Sequence, residues 1–349
     1  MNKTRNGKIE LLRFLMAVII VIHHSGRIEG GVNIFPRGSL AVEFFFLISG
    51  YFLAAHCEKL QAVKCNDVGR ETMTFILNKI RPFYLMMIIA EFFALIINLV
   101  ICSDGAFGKI IGAINEVLLL NMTGHRLHAF NVIWYLSAMI ISMFTIFPIC
   151  RKYYSVFVNI IAPVSGVLIL GALYIAYGSQ TGPNEVVAGF IYRGLLRGYA
   201  ELCMGAFAFN IVCTLRAYNF SKIGYTLLTV LEIISYIVSL CFMMRSNTTY
   251  DLFVFYILFF AVIISFSNEG SWNRIFNNPI CYRLGKYSLA LYLGHVYWAD
   301  LINILPIYNW SIKFILFIIC AAVFALILEF VAELCRFGLK KLGNLLIDS

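Results

Sequence analysis

Four ionisable residues lie within the first apolar stretch of the chain, between Glu10 and His24. Arg13 and His24 are eleven positions apart, which is about three helical turns and roughly 16 Å, so both lie on nearly one face of a helix. Glu10 precedes Arg13 by three positions on the same side, whereas His23 lies off that face. An imidazole, a guanidinium and a carboxylate on one face offer a general base, a cation for an anionic or polarised group, and a partner for either.

Charged groups inside an apolar helix are costly, because insertion scales assign roughly 2.5 kcal/mol or more to an intramembrane ion. This face must therefore look into a bundle interior or a water-filled cavity. A structural ion pair with one incidental histidine produces the same pattern. The first segment alone leaves a structural and a catalytic interpretation open.

The composition is that of a membrane protein with several spans. Of the 349 residues, 61% are hydrophobic and 13% are charged, and the mean hydropathy is +0.85, far outside the range of soluble domains. A spanning helix needs about 20 mostly apolar residues. We predict about ten spans, with approximate edges at 9–27, 38–56, 78–102, 130–149, 156–177, 193–214, 222–243, 250–267, 284–304 and 312–336. The stretch 108–121 is too short and interrupted to cross, and it predicts an interfacial or re-entrant helix.

Basic residues are concentrated in alternate loops, and this bias predicts the orientation. A cytoplasmic N-terminus places Lys59, Lys79 and Arg151 inside and leaves few basic residues outside. Both termini are then cytoplasmic. The first span is expected to be a retained anchor, because Arg13 interrupts its apolar run and no small-x-small cleavage site follows. The expected fold is an all-α polytopic bundle, with one transmembrane domain over 1–349 and no appended soluble domain.

Composition also argues against two other classes of protein. The loop residues account for the net charge of +9, and nucleic-acid binding would need basic residues clustered on a soluble surface. The ten cysteines are scattered singly, and their spacing matches no zinc signature. We expect neither a metal site nor a disulfide framework.

Polar residues also mark the second and third spans. Glu43 lies near the outer end of the second span, at a depth similar to that of His24, and Ser49-Gly50 permits close helix approach. The third span begins with Lys79, Arg81, Pro82 and Tyr84. A proline after basic residues marks a helix start, and a helix N-terminus beside cations is an anion site. A phosphorylated cytoplasmic donor fits this surface, as does an ordinary positive-inside anchor.

Later spans contribute three more groups. Trp134 and Tyr135 open the fourth span, Arg197 and Glu201 stand four positions apart in the sixth, and His295 lies in the ninth. Each group also has a purely structural interpretation. Trp134 and Tyr135 would be aromatic residues at the membrane interface, Arg197 and Glu201 a buried ion pair, and His295 a single hydrogen-bonded histidine.

Taken in order, these motifs resemble the integral-membrane acyltransferase family 3. The pattern begins with a basic residue, ten positions and a histidine, which are Arg13 and His24 in this chain. The second span of the pattern has the form Gly-x-x-x-Val-(Asp/Glu)-Phe-Phe-x-x-x-Ser-Gly-(Phe/Tyr), and the third begins with basic residues followed by Pro and Tyr. The fourth span contains Trp-Tyr-Leu-Ser, and the ninth contains Leu-Gly-x-x-Ser…Tyr-Leu-x-His. The resemblance covers almost the whole chain. Where the family often has two arginines three apart before the third span, this chain has Lys79 and Arg81.

The resemblance implies a transmembrane enzyme of a bacterial-type inner membrane. Its family moves an acyl group, usually acetyl, from cytoplasmic acyl-CoA to a hydroxyl of a sugar or glycan on or beyond the membrane. Acetyl-CoA would be the co-substrate, without a metal, and the partners would be the glycan acceptor and membrane lipids, but no nucleic acid. A homo-oligomer or a partner protein that accepts the acyl group is also compatible with the resemblance.

The same resemblance implies roles for particular residues. His24 would be the catalytic base or a transient acyl carrier. Glu43 or Glu10 would orient its ring or hold an arginine, and Arg13 would bind the donor or stabilise a developing oxyanion. The remaining candidates are Lys79, Arg81 and Tyr84 for the donor, and Trp134, Arg197, Glu201 and His295 for the acceptor.

Two other classes share this architecture. A transporter or flippase would use buried Arg, His and Glu as a substrate or proton path, and a sensor domain would bind a ligand without turnover. The sequence lacks the inverted repeats and paired broken spans common in secondary transporters. Covalent acyl transfer separates the enzyme from both alternatives.

Overall fold

The computed structural model describes residues 6–124, 132–218, 220–268 and 275–347, with residues 337–347 described by their backbone alone. The helices are α1 (Gly7–His24), α2 (Ala41–Leu60), α3 (Val68–Ile101), α4 (Ala106–Val117), α5 (Trp134–Lys152), α6 (Tyr154–Tyr177), α7 (Arg193–Arg216), α8 (Lys222–Met243), α9 (Asp251–Ser267), α10 (Pro279–Leu293), α11 (Val296–Asn303) and α12 (Trp310–Ile347). Two short antiparallel strands, β1 (Val186–Val187) and β2 (Ile191–Tyr192), pair Val186 with Tyr192.

Within these residues, nine helices are long and apolar enough to cross a membrane. The prediction of an all-α polytopic membrane protein is confirmed. The predicted span at 284–304 differs from the others, because α10 ends at Leu293 and α11 begins at Val296. Gly294 leaves the helical conformation with φ −106° and ψ 9°, so this segment consists of two helices.

The broken segment nevertheless runs along the whole length of α1. At the start of α1, the Gly7 amide donates to Asn277 Oδ1 at 2.9 Å. Beyond the other end of α1, Asn303 Nδ2 donates to the Arg27 carbonyl at 3.0 Å. Helices α10 and α11 together therefore extend from one end of α1 to the other.

Contacts between helix ends agree with the alternation predicted from loop charge. Two segments that are both predicted to be cytoplasmic are joined by Arg151 Nε and Glu71 Oε2, 2.6 Å apart. On the predicted outer side, Arg27 pairs with Asp300 at 3.1 Å, and Arg37 pairs with Asp251. Loop charge predicts that the end of the bundle that carries Glu71 and Arg151 faces the cytoplasm, and this end is called the cytoplasmic end.

Helix α4 overlaps the stretch 108–121, for which the sequence predicts a helix too short to cross the membrane. It contains 12 residues, or about 18 Å at 1.5 Å per residue, which is too short to cross a core of about 30 Å. It packs against α3 and buries Gly112, Ala113 and Glu116.

Two close helix contacts position the residues of interest. A Cβ at Gly50 of α2 would lie 2.0 Å from the Leu202 carbonyl oxygen of α7, so only glycine permits this approach. A Cβ at Gly285 of α10 would lie 2.1 Å from Glu10 Oε2 of α1. The first contact places α2 beside α7, and the second holds α10 against α1.

Candidate active site

Three cavities follow one another through the bundle beside α1. The inner cavity, of about 700 Å³, is lined by Glu10, Arg13, Glu58, Lys59 and Arg216 among others. These residues belong to the cytoplasmic halves of α1, α2 and α7, so the inner cavity lies at the cytoplasmic end of the bundle.

The middle cavity is the smallest of the three, at about 150 Å³. It shares five lining residues with the inner cavity: Arg13, Phe45, Ser49, Lys79 and Tyr135. The two spaces therefore adjoin at these five residues.

The outer cavity, of about 300 Å³, contains the candidate base. Its lining includes His24, Trp134 and Arg197, and it shares Val42 and Tyr292 with the middle cavity. The three spaces thus form a row from the cytoplasmic end of α1 to His24, interrupted by side chains at Arg13 and at the pair Val42 and Tyr292.

The imidazole of His24 is held through one of its nitrogens. Nδ1 lies 2.9 Å from the Ile20 carbonyl oxygen and 3.2 Å from His295 Nε2. A carbonyl only accepts, so Nδ1 carries the hydrogen in the neutral ring. Nε2 is then the nitrogen with a lone pair, and His24 has the geometry of a base at the wall of the outer cavity.

His23 is fixed differently. Its Nδ1 lies 2.7 Å from the Phe35 carbonyl oxygen in the loop before α2. Its ring meets that of His24 edge to face, with 5.0 Å between centroids. His23 also lines the outer cavity, but its contact with the loop backbone ties it to the fold of that segment.

Arg13 lies at the boundary of the inner and middle cavities. Its Nη1 donates to Glu10 Oε2 at 3.3 Å, towards the start of α1, while its buried Nε has no hydrogen-bond partner in the described part of the chain. Three turns of helix, roughly 16 Å, separate Arg13 from His24. Arg13 therefore lies towards the cytoplasmic end of this row of cavities, about three helical turns from His24.

Glu43 lies beside Arg197. Arg197 Nη2 donates to Glu43 Oε1 at 3.3 Å, and its Nε donates to Glu201 Oε1 at 2.6 Å. All three residues are buried, and the guanidinium carbon of Arg197 lies 5.8 Å from the centroid of the Trp134 ring. The two carboxylates fix Arg197 against Trp134 in the wall of the outer cavity, and the partner of Glu43 among the described residues is Arg197, not His24.

The candidate donor residues divide into two groups. Lys79 lines the inner and middle cavities and a groove of about 920 Å³ that also contains His56, Arg70 and Phe75. Arg81 is exposed and Tyr84 is half-buried, and neither is part of the lining of these spaces. Of the three candidate donor residues, only Lys79 therefore lines the row of cavities.

His295 lies behind His24 and outside the lining of the outer cavity. It is fully buried, and the two rings are 4.9 Å apart between centroids. Its position results from the break between α10 and α11, since His295 occupies the gap between the two helices.

Some lining residues carry no motif that marks them in the sequence. Arg37, at the rim of the outer cavity, pairs with Asp251 and donates to Ser179 Oγ at 2.9 Å. The one available signal is the position of Asp251, an acidic residue at the outer start of an apolar span. Met139 and Met143 line the middle cavity, and their apolar character is indistinguishable from that of ordinary core residues.

Among the described residues, no group of three or more His, Cys, Asp or Glu side chains could hold a metal ion. No curated protein and no solved structure is significantly similar to the chain. A family model described as an acyltransferase domain matches residues 6–334, which is nearly the whole chain. The protein therefore belongs to acyltransferase family 3 and is a multi-pass membrane acyltransferase.

Proposed function

We propose that this protein transfers an acyl group, in the first instance acetyl, from cytoplasmic acyl-CoA to a hydroxyl of a sugar or glycan on the outer side. The row of three cavities from the cytoplasmic end of the bundle to His24 carries this proposal. Such a path suits a narrow acyl-pantetheine arm. The charged nucleotide of CoA stays at the cytoplasmic end, because its phosphates are too costly to bury in the bundle.

The groove at the cytoplasmic end supports this placement of the donor. It offers the cations Arg70 and Lys79 to phosphate groups. Phe75 stacks on Phe147 with 4.3 Å between centroids, and Lys79 Nζ lies over the Phe75 ring at 5.3 Å from its centroid, which fixes this cation at the wall of the groove. The groove shares Lys79 and Phe52 with the inner cavity, so a bound nucleotide would have its pantetheine arm directed towards Arg13.

In direct transfer, the acceptor hydroxyl donates to His24 Nε2 in the outer cavity. The hydroxyl oxygen attacks the thioester carbon while its proton moves to Nε2. The carbon–sulfur bond then breaks, and His24 returns the proton to the leaving thiolate, so the products are an ester and free CoA. A transient acyl group on Nε2 uses the same geometry in two steps, and exchange of labelled CoA into acetyl-CoA without acceptor would identify that route.

The test is transfer by the purified protein in lipid nanodiscs. Labelled acetyl-CoA is mixed with envelope glycans from cells that lack the protein, and alkali-labile label in the glycan and free thiol are measured together. Equal amounts of ester and CoA are expected. In sealed proteoliposomes of the same protein, solute movement without thiol release would indicate a transporter. In nanodiscs, saturable binding without turnover would indicate a sensor. Mass spectrometry of surface glycans with and without the protein would identify the acceptor.

Arg13 is expected to act through its charge and its forked shape. We predict that Arg13→Gln lowers kcat/KM for acetyl-CoA by about 100-fold, the range expected for lost charge-assisted contacts in a dry site, while Arg13→Lys retains part of the activity. Turnover and melting temperature are measured for both variants. Full turnover with a lowered melting temperature in Arg13→Gln would show that the ion pair of Arg13 and Glu10 stabilises the fold and does not act in transfer.

Lys79 is expected to bind the donor. We predict that Lys79→Ala weakens acetyl-CoA binding by about 10-fold, as for one or two lost phosphate contacts, and makes binding less sensitive to salt. Binding is measured directly at several ionic strengths. Lys222→Ala, which removes an exposed lysine at the same end of the bundle, is the matched control, and Arg81→Ala should have a smaller effect than Lys79→Ala. Equal affinities in all variants would place the donor elsewhere.

A further inference from the structure

We propose that His295 is a positioning residue that holds His24 as the base and shares the positive charge that His24 acquires during transfer. This inference rests on the proposed function, because it assigns His24 Nε2 to the acceptor hydroxyl. In this inference His295 acts through His24, whereas the family resemblance implies that His295 contacts the acceptor directly.

The first step concerns the proton on His295. Its Nδ1 lies 3.0 Å from the Leu291 carbonyl oxygen and 2.9 Å from that of Tyr292. Carbonyl oxygens only accept hydrogen bonds, so this nitrogen is protonated in the neutral ring. His295 Nε2 therefore has a lone pair, and it is this atom that faces His24 Nδ1 at 3.2 Å.

The break between α10 and α11 makes these two carbonyls available as hydrogen-bond acceptors for His295. Helix α10 ends at Leu293, and the last carbonyls of a helix have no amide partner within the helix. The C-terminal end of a helix also carries the negative pole of its dipole and favours a cation. His295 thus lies at a point where the backbone stabilises a protonated imidazole.

The second step concerns the charged state of His24. When Nε2 takes the acceptor proton, the ring becomes an imidazolium, and its Nδ1–H bond to His295 becomes charge-assisted. The Nδ1 proton is then shared with His295 Nε2, while His295 Nδ1–H stays bonded to the helix end. The pair as a whole gains the one proton that Nε2 takes from the acceptor, and it loses that proton again when His24 protonates the leaving thiolate. The arrangement resembles a catalytic imidazole backed by a carboxylate, with a second imidazole and a helix C-terminus in that place.

The other groups near the two rings do not supply this stabilisation. They are His23 on α1, Arg27 after α1, Arg37 and Arg197 in the outer cavity, and Tyr292 on α10. All of these are cations or neutral rings. Among the described residues, the nearby carboxylates have arginine partners: Asp300 with Arg27, Asp251 with Arg37, and Glu43 and Glu201 with Arg197. A positive charge on His24 therefore depends on His295 and the carbonyl of Ile20.

Two substitutions test the inference. His295→Leu keeps bulk but removes the acceptor, whereas His295→Gln places an amide oxygen near the position of Nε2 and an amide NH₂ near the carbonyls. We expect His295→Leu to lower kcat by about 100-fold, within the range for impaired general base catalysis, with KM for acetyl-CoA changed less than about threefold. His295→Gln should keep kcat within about 10-fold of the unsubstituted protein.

The pH profile of kcat/KM distinguishes the two roles, because the loss of a purely structural packing contact would not shift it. Loss of the acceptor destabilises the imidazolium of His24, so the acid limb should move to lower pH in His295→Leu and less far in His295→Gln. Unchanged kcat, or equal losses in both variants with an unshifted acid limb, would overturn the inference. If His295→Leu does not fold, the pH profile of His295→Gln decides. Transfer by His24→Ala would instead remove the base on which the inference rests, and no transfer by the unsubstituted protein would refute the proposed function.

Discussion

His24→Ala should abolish acyl transfer while the protein still inserts and purifies as a monodisperse species. The substitution removes the only nitrogen proposed to accept the acceptor proton, and loss of a general base costs about 10²–10⁴-fold in rate. Within the described part of the chain the half-buried ring takes part in no ion pair. Its Nδ1 contacts the Ile20 carbonyl and His295, and its ring packs against that of His23. Initial rates with acetyl-CoA, together with size-exclusion profiles and melting temperature, separate chemistry from folding.

His23→Ala is the matched control for this experiment. It removes the same side-chain type one position earlier, from a ring bound to the Phe35 carbonyl, and it should lower the rate by no more than a few fold. Comparable losses of rate in the two variants would mean that both histidines contribute equally to the structure of the outer cavity and that His24 has no separate catalytic role. A fully active His24→Ala protein would remove the proposed base.

The parts of this fold that follow from local pattern were predictable. Nine uninterrupted spans follow from length and hydropathy. The contacts of Glu10 with Arg13 and of Arg197 with Glu201 follow from spacings of three and four positions. The placement of Arg13 and His24 on one face follows from helical periodicity.

Contacts between distant segments could not be obtained in this way. His24 and His295 are 271 positions apart, and Arg197 and Glu43 are 154 apart. The sequence indicates only that Glu43 and His24 lie at similar depth. The angular position of α2, set by close contacts such as that of Gly50 with Leu202, decides that Glu43 reaches Arg197. Hydropathy also does not predict the break after Leu293, because Gly294 and Val296 are as acceptable in an apolar helix as in a turn.

The orientation of the bundle leads to the second large effect, which concerns the side from which each substrate arrives. His24 lies roughly 24 Å along the first helix from its cytoplasmic end, past the middle of a core about 30 Å thick. The donor groove and Lys79 lie at the opposite end of the row of cavities. Acetyl-CoA supplied on the cytoplasmic face and glycan on the opposite face should therefore give acylated glycan, although neither substrate crosses the membrane.

Proteoliposomes with uniformly oriented protein provide this measurement. Acetyl-CoA is placed on the cytoplasmic face with an impermeant thiol reagent, glycan is placed on the other face, and ester and released thiol are followed on their own sides. The thiol should appear only on the cytoplasmic face, since the pantetheine arm withdraws through the inner cavity after its acyl group has left. Vesicles with His24→Ala should show neither product. Ester formed only when both substrates share the cytoplasmic face would contradict this arrangement even if His24 proved catalytic, because the acceptor would then reach His24 from the inner cavity past Arg13.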